Sequence, residues 1–388
     1  MILERLVIGN SFAAVLAIAS RVADLKSHSE EPARQIAWLP NTRSHLVPPF
    51  AGVHQEVSIQ LIEGLARAFE IDLGAMHVGQ FVREWRSKGF VDPDWSDVRE
   101  SLWDLELPLA QEQSARWDMS LAEFDARLRS ALATSTHVQI LDHQMELASV
   151  HAVTPTEENG MSQLELKLGS GEVLFAQEAI FADRWSKLAT IGGIPKVVSF
   201  MRKKKPVSVF QAYIEHSLPV SSDIRESFFI ALHKEAGEDH SRHVWGHFFD
   251  QGRKSVWSVA IDPEEGEDNH EITKRYRRMK QALDRLLTST AWMGESKTFS
   301  DSITKEQLRF EDGILLSSPL ADSNAGLDLP QTIDALPGLT CVTEAFGIDL
   351  CLSQIARLSE RTAEPSLFAQ LTSDIRSGLE PTATASST

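Results

Sequence analysis

An apolar strand that ends on glycine and passes at once into a small-residue helix opens the chain. Leu6-Val7-Ile8 runs into Gly9, and Phe12, Ala13, Ala14, Val15, Leu16, Ala17, Ile18 and Ala19 follow. A continuous apolar run is the pattern of a strand buried on both faces. Alanines at the head of the next helix let it lie close to that strand. The spacing Gly9-x-Ser11-x-x-Ala14 differs by one residue from the G-x-G-x-x-A turn of dinucleotide-binding folds. Gly9 suits the tight turn and Ala14 the close helix packing. Ser11 stands where backbone comes nearest a pyrophosphate.

Such a turn has chemistry of its own. The N-terminus of a helix presents unpaired N–H groups and a partial positive charge. Gly9, Asn10, Ser11, Phe12, Ala13 and Ala14 are therefore the candidate cofactor-binding residues, with a pyrophosphate as their anion. Ser11 leaves two alternatives open. Its hydroxyl either donates to phosphate or fills the space that phosphate needs. The bland reading is a strand-turn-helix that merely packs, with Ser11 as helix cap.

The 388 residues suffice for two packed domains and a large core. A net charge of −17 argues against a general nucleic-acid or anionic-membrane binder. Two cysteines, Cys341 and Cys351, form no pairing framework, which suits a reducing cytoplasm. No apolar run reaches the ~20 residues of a spanning helix. Glu4 and the strand-turn-helix grammar also argue against a signal peptide.

Along the chain, Gln35–Leu39 reads as a second strand, and a helix follows near Glu56–Phe69. Residues 81–117 are tryptophan-rich and read as irregular. Ser120-Leu121-Ala122-Glu123 is a capping box that opens a helix with Leu121, Phe124, Leu128 and Leu132 inward. Val138–Leu141 is a short strand. Strands are expected at Met145–Thr154, Leu164–Leu168 and Glu172–Phe175, with a separate core strand at Glu178–Asp183. Alternating strands then run from Val207 to Ile261, followed by a basic amphipathic helix at Glu271–Leu287. Pro337–Thr343 returns as a buried strand and leads to a helix at Asp349–Leu358.

This order of parts resembles the FAD-dependent oxidoreductases of the amine oxidase and protoporphyrinogen oxidase type. Four places carry the resemblance: Val7–Ala14, the capped helix leading to Val138–Leu141 and Met145-Glu146-Leu147, the stretch Gly171–Ala182, and Gly338–Gly347. The resemblance implies FAD as cofactor. It places Met145 by the adenine end and sets Thr343-Glu344 where the family has Gly-Asp, so that Glu344 faces the ribityl chain. The acid that usually ends the second strand is replaced by Asn41, which can still bond a ribose hydroxyl.

The expected fold is α/β, a Rossmann-like FAD-binding domain with a parallel sheet plus a second α+β domain built on an antiparallel sheet. Residues 1–193 and 321–379 form the first domain, with a helical tryptophan-rich insertion at about 75–120. Residues 194–320 form the second, and 380–388 a disordered tail. His243, Trp245 and His247 share one strand face and are the candidate substrate-lining residues. A metal there lacks further ligands, so none is expected. The expected function is oxidation of a small organic substrate, an amine or a C–C or C–N bond, by hydride transfer to flavin. The alternative is a degenerate, non-catalytic descendant of the fold that serves as a binding or assembly protein, so the expected partner is a small-molecule substrate or a protein. No catalytic residue is named, since flavin chemistry asks few groups of the protein.

Overall fold

The computed structural model describes residues 2–27, 36–40, 52–53, 56–79, 82–86, 89–91, 114–141, 146–153, 163–183, 191–194, 207–225, 228–231, 244–261, 268–287, 298–314, 336–342 and 348–360. Asn41, Met145, His243, Thr343, Glu344 and the tail 380–388 lie outside them.

The opening run forms strand β1 (Ile2–Ile8) and helix α1 (Phe12–Ser27). Strand β1 is parallel to β2 (Ile36–Leu39) on one side and to β10 (Val173–Phe181) on the other. Parallel neighbours β7 (Val138–Ile140) beyond β2 and β16 (Leu339–Cys341) beyond β10 extend the sheet. Antiparallel strands β9 (Gln163–Leu168) and β8 (Leu147–Val153) complete its seven strands. Strand β2, the next in the chain, thus lies on one side of β1, and β10, from much later in the chain, on the other. Their carboxyl ends flank the Gly9 turn, the usual place for a ligand in an open α/β sheet.

Four helices cover one face: α1, α2 (Glu56–Ala68), α3 (Leu121–Ala133) and α5 (Ile348–Glu360). Helix α1 is buried almost all round, which its alanine-rich composition permits. On the other face Leu6, Ile8, Leu39 and Phe181 share an apolar cluster with Val150, Leu164 and Leu166 of β8 and β9.

A second seven-stranded sheet runs β15-β11-β14-β13-β12-β4-β5. Its members are β15 (Ile303–Ile314), β11 (Val207–His216), β14 (Lys254–Ile261), β13 (Val244–Phe249), β12 (Phe228–Ala231), β4 (Val82–Arg86) and β5 (Gly89–Val91). All neighbours are antiparallel except β12 and β4. Helix α4 (Asn269–Leu286) packs Tyr276, Met279 and Leu283 against Phe210, Ile214, Trp257 and Val259. The class is therefore mixed α/β, a sheet with a parallel centre plus an antiparallel one.

Three details differ from the sequence reading. Residues 81–117 are not irregular throughout: β4, β5 and β6 (Ser114–Trp117) lie there, with β6 pairing β3 (Met76–Gly79). The breaks that short polar residues impose on the pattern hid them. Strand β10 is continuous where a split was expected at Ala176-Gln177. Ala176 pairs with Leu3 of β1 and Leu164 of β9 and so stays in the sheet, and the next charged residue, Glu178, is held by Arg21 and Arg5 at 3.0 and 3.4 Å. The capping box at Ser120 is half formed. Ser120 Oγ accepts from the Glu123 N–H at 3.1 Å, but the Glu123 carboxylate takes Arg127.

Among the described residues no helix is long and apolar enough to cross a membrane. Replacing Phe124, which is fully buried between α3 and the sheet, leaves a large cavity. Phe124→Ala is expected to cost about 3–5 kcal/mol in chemical denaturation. Ile140→Ala, at an exposed position, should change stability by no more than about 0.5 kcal/mol.

Candidate functional site

Gly9 joins β1 to α1 with φ +128°, a region that side chains other than glycine's avoid. A Cβ built there would lie 2.2 Å from the carbonyl oxygen of Ala182. The Gly9 N–H donates to Leu39 O at 2.9 Å, and the Trp38 indole N–H donates to Gly9 O at 2.8 Å. The turn is thus pinned between the carboxyl ends of β1, β2 and β10.

Ser11 is the helix cap. Its hydroxyl donates to Ala182 O at 2.7 Å and accepts the Ala14 N–H at 3.2 Å. Both partners fix it toward β10 and the first turn of α1. Ser11 therefore ties the helix to the strand, and it takes one N–H that glycine at this position would have left for a ligand.

Two residues absent from the sequence reading complete the site. Arg129 of α3 donates from Nη1 to Asn10 Oδ1 at 2.6 Å, and from Nη2 to the carbonyl oxygens of Asn10 at 3.0 Å and Ser11 at 3.2 Å. Its Nε lies 3.0 Å from both carboxylate oxygens of Asp125. Burial pushes the Asp125 carboxyl up, while Arg129 and then Arg309 of β15 pull it down. The signal available in the sequence was an i,i+4 Asp-Arg pair on the same helical stripe as Ala122. The neighbouring stripe of Leu121, Phe124, Leu128 and Leu132 is the stronger pattern and claimed the helix for the core.

The turn fits a dinucleotide. The glycine conformation and close approach are present, and α1 points its N-terminus out of the sheet edge. The Ser11 and Phe12 N–H groups find no acceptor among the described residues. Val342, directly before Thr343 in the chain, donates to Phe181 O at 2.9 Å beside the same edge.

The second sheet holds the other candidates. The backbone of Trp245 pairs with Ser258 and Ile230. His247 is 3% exposed, with its ring 6.0 Å from that of Phe249. Burial, and secondarily Arg116, pushes its imidazole down to about 3, so it is neutral at pH 7. His216 sits between Ser302 Oγ at 2.9 Å and Ser255 Oγ at 2.7 Å, and burial likewise lowers it to about 3. Among the described residues no three His, Cys, Asp or Glu side chains come together as a metal site. Cys341 and Cys351 are buried thiols, and burial pushes that of Cys341 up to about 12.

No protein-family model and no curated protein matches the sequence. Solved structures match its fold. A geranylgeranyl bacteriochlorophyll reductase-like protein from Thermoplasma acidophilum is 12% identical with a TM-score of 0.51, covering 97% of this chain and 83% of its own. A probable FAD-dependent monooxygenase, PqsL from Pseudomonas aeruginosa, is 11% identical with a TM-score of 0.45, covering 97% and 92%. The halogenase PltM is 11% identical with a TM-score of 0.48, covering 97% and 70%. The likeness to the reductase-like protein is one of fold. The amine oxidase branch named by the sequence resemblance is not singled out among these neighbours.

The two neutral histidines set a pH dependence. Unfolded histidine takes up a proton near 6.5, whereas these bind one only near 3. The unfolded state therefore holds more protons between those values, and stability falls as pH drops below 6.5. The expected loss approaches roughly 1.4 kcal/mol per pH unit for each histidine. Urea denaturation at pH 7, 6 and 5 measures it, and His216→Gln should shrink the slope.

Proposed function

We propose that the chain is an FAD-binding flavoprotein oxidoreductase. The observation that carries this reading is the Gly9 turn, held at positive φ against Ala182 O at the carboxyl end of the central parallel strand. Gly9 to Ala14 hold the pyrophosphate, with the Ser11 and Phe12 N–H groups as first donors. Asn41 bonds the adenosine ribose, Met145 packs by the adenine, and Thr343 and Glu344 meet the ribityl chain. FAD supplies an isoalloxazine that accepts a hydride. The protein binds it, orients it and covers it with the second sheet. His243, Trp245 and His247 line the substrate side, and the substrate is a small organic molecule with an oxidisable amine or C–C or C–N bond. Residues 1–193 and 321–379 form the FAD domain and 194–320 the substrate domain, with β4 and β5 lent to the second sheet from the 75–120 insertion. The protein works in the cytoplasm.

One observation favours a second reading, a non-catalytic descendant that binds a protein partner. Ser11 occupies the Ala14 N–H that a phosphate would use.

The visible spectrum of the protein, purified without added cofactor, separates the two. The flavoprotein reading expects the blue and near-ultraviolet bands of bound isoalloxazine. A colourless protein that also fails to bind added FAD would sink it. Ser11→Gly frees the Ala14 N–H at a cost of only a few tenths of a kcal/mol to the helix cap. Its expected outcome is tighter FAD binding in a fluorescence titration. Weaker binding would assign the cap itself to holding the turn.

A further inference from the structure

We infer that Arg129 is a positioning residue for the dinucleotide turn, aimed by Asp125; this rests on the FAD reading above. Arg129 Nη2 holds the carbonyl oxygens of both Asn10 and Ser11, and Nη1 holds the Asn10 side chain. In a trans peptide the C=O and the following N–H point in opposite directions. Fixing the carbonyls of Asn10 and Ser11 on one guanidinium therefore aims the N–H groups of Ser11 and Phe12 the other way. Those are the two donors that the turn offers a pyrophosphate. Arg129 reaches them from behind and does not occupy their direction.

The planar guanidinium is suited to this task, since its fork serves several acceptors at fixed angles where a lysine offers a point charge. Asp125 holds the remaining edge, with both carboxylate oxygens at 3.0 Å from Nε. The side chains of Arg129 and Asp125 are 14% and 2% exposed, so the pair is shielded from solvent and salt. Arg127, two residues away, is half-exposed and pairs with Glu123 on the other side of the helix. It serves as a control.

The test titrates FAD, and ADP as the pyrophosphate-bearing fragment, into the full-length chain freed of flavin. Arg129→Gln is expected to weaken both ligands by a common factor, on the order of tenfold to a hundredfold for the loss of charge-assisted hydrogen bonds. Arg129→Lys should fall between, and Arg127→Gln should match the parent. Arg129→Gln also takes from the buried Asp125 the guanidinium that holds both of its oxygens, and lowers the unfolding midpoint. The double variant Arg129→Gln with Asp125→Asn removes both charges and is expected to recover much of that midpoint while FAD and ADP affinity stay low. Affinity that recovers together with stability would overturn the inference, as would parental affinity in Arg129→Gln. In either case the flavoprotein reading stands, because the parent binds FAD. A parent chain that binds neither FAD nor ADP overturns both.

Discussion

The contact between Gly9 and the end of β10 is the constraint on which the first sheet and its site depend. Strands β1 and β10 pair in parallel from Ile2 to Ile8, and the chain must then turn where Ala182 leaves no room for a Cβ. Only glycine passes. Because it passes, α1 starts immediately at the sheet edge, with its N-terminus at the carboxyl ends of β1, β2 and β10. Trp38 and Leu39 from β2 and Ser11 from α1 tie the same point from other directions. The polar backbone of a tight turn is thereby satisfied by neighbours, and the groups left over are N–H donors.

Helix α3 connects this turn to the rest of the molecule. One stripe, Leu121, Phe124, Leu128 and Leu132, belongs to the core of the first sheet. The adjoining stripe does different work. Ala122 packs with Phe249, Val256 and Tyr213 of the second sheet, while Asp125 and Arg129 turn their charge onto the Gly9 loop. Arg309 of β15 adds its field to the same pair. A small residue followed by a buried ion pair thus lets one helix serve two sheets and the turn between them.

The second sheet carries its polar groups differently. His216 is held by two serines, and Trp257 donates to one of them at 2.8 Å, inside a box of Phe248, Trp257 and Phe299 rings. His247 is enclosed as completely. Burial favours the neutral form of each imidazole. These side chains therefore offer hydrogen bonding and shape, and no positive charge at neutral pH.

By itself the sequence determined the local grammar: an apolar strand, a glycine, a small-residue helix, the alternation of the later strands, and a serine able to cap. These follow from side-chain size and period, which neighbours along the chain fix. It left open what Ser11 does, because a hydroxyl can serve phosphate or carbonyl equally well. Only the tertiary structure decided that, by setting Ala182, at the end of the neighbouring strand β10 and 171 residues away in the chain, within 2.7 Å. It also decided that Ala176 and Gln177 join two expected strands into one, because β1 and β9 pair with that stretch of β10 from either side. Arg129 stayed hidden for the same reason. Its partners Asn10 and Ser11 are more than a hundred residues away, and no local pattern records a contact made across that distance.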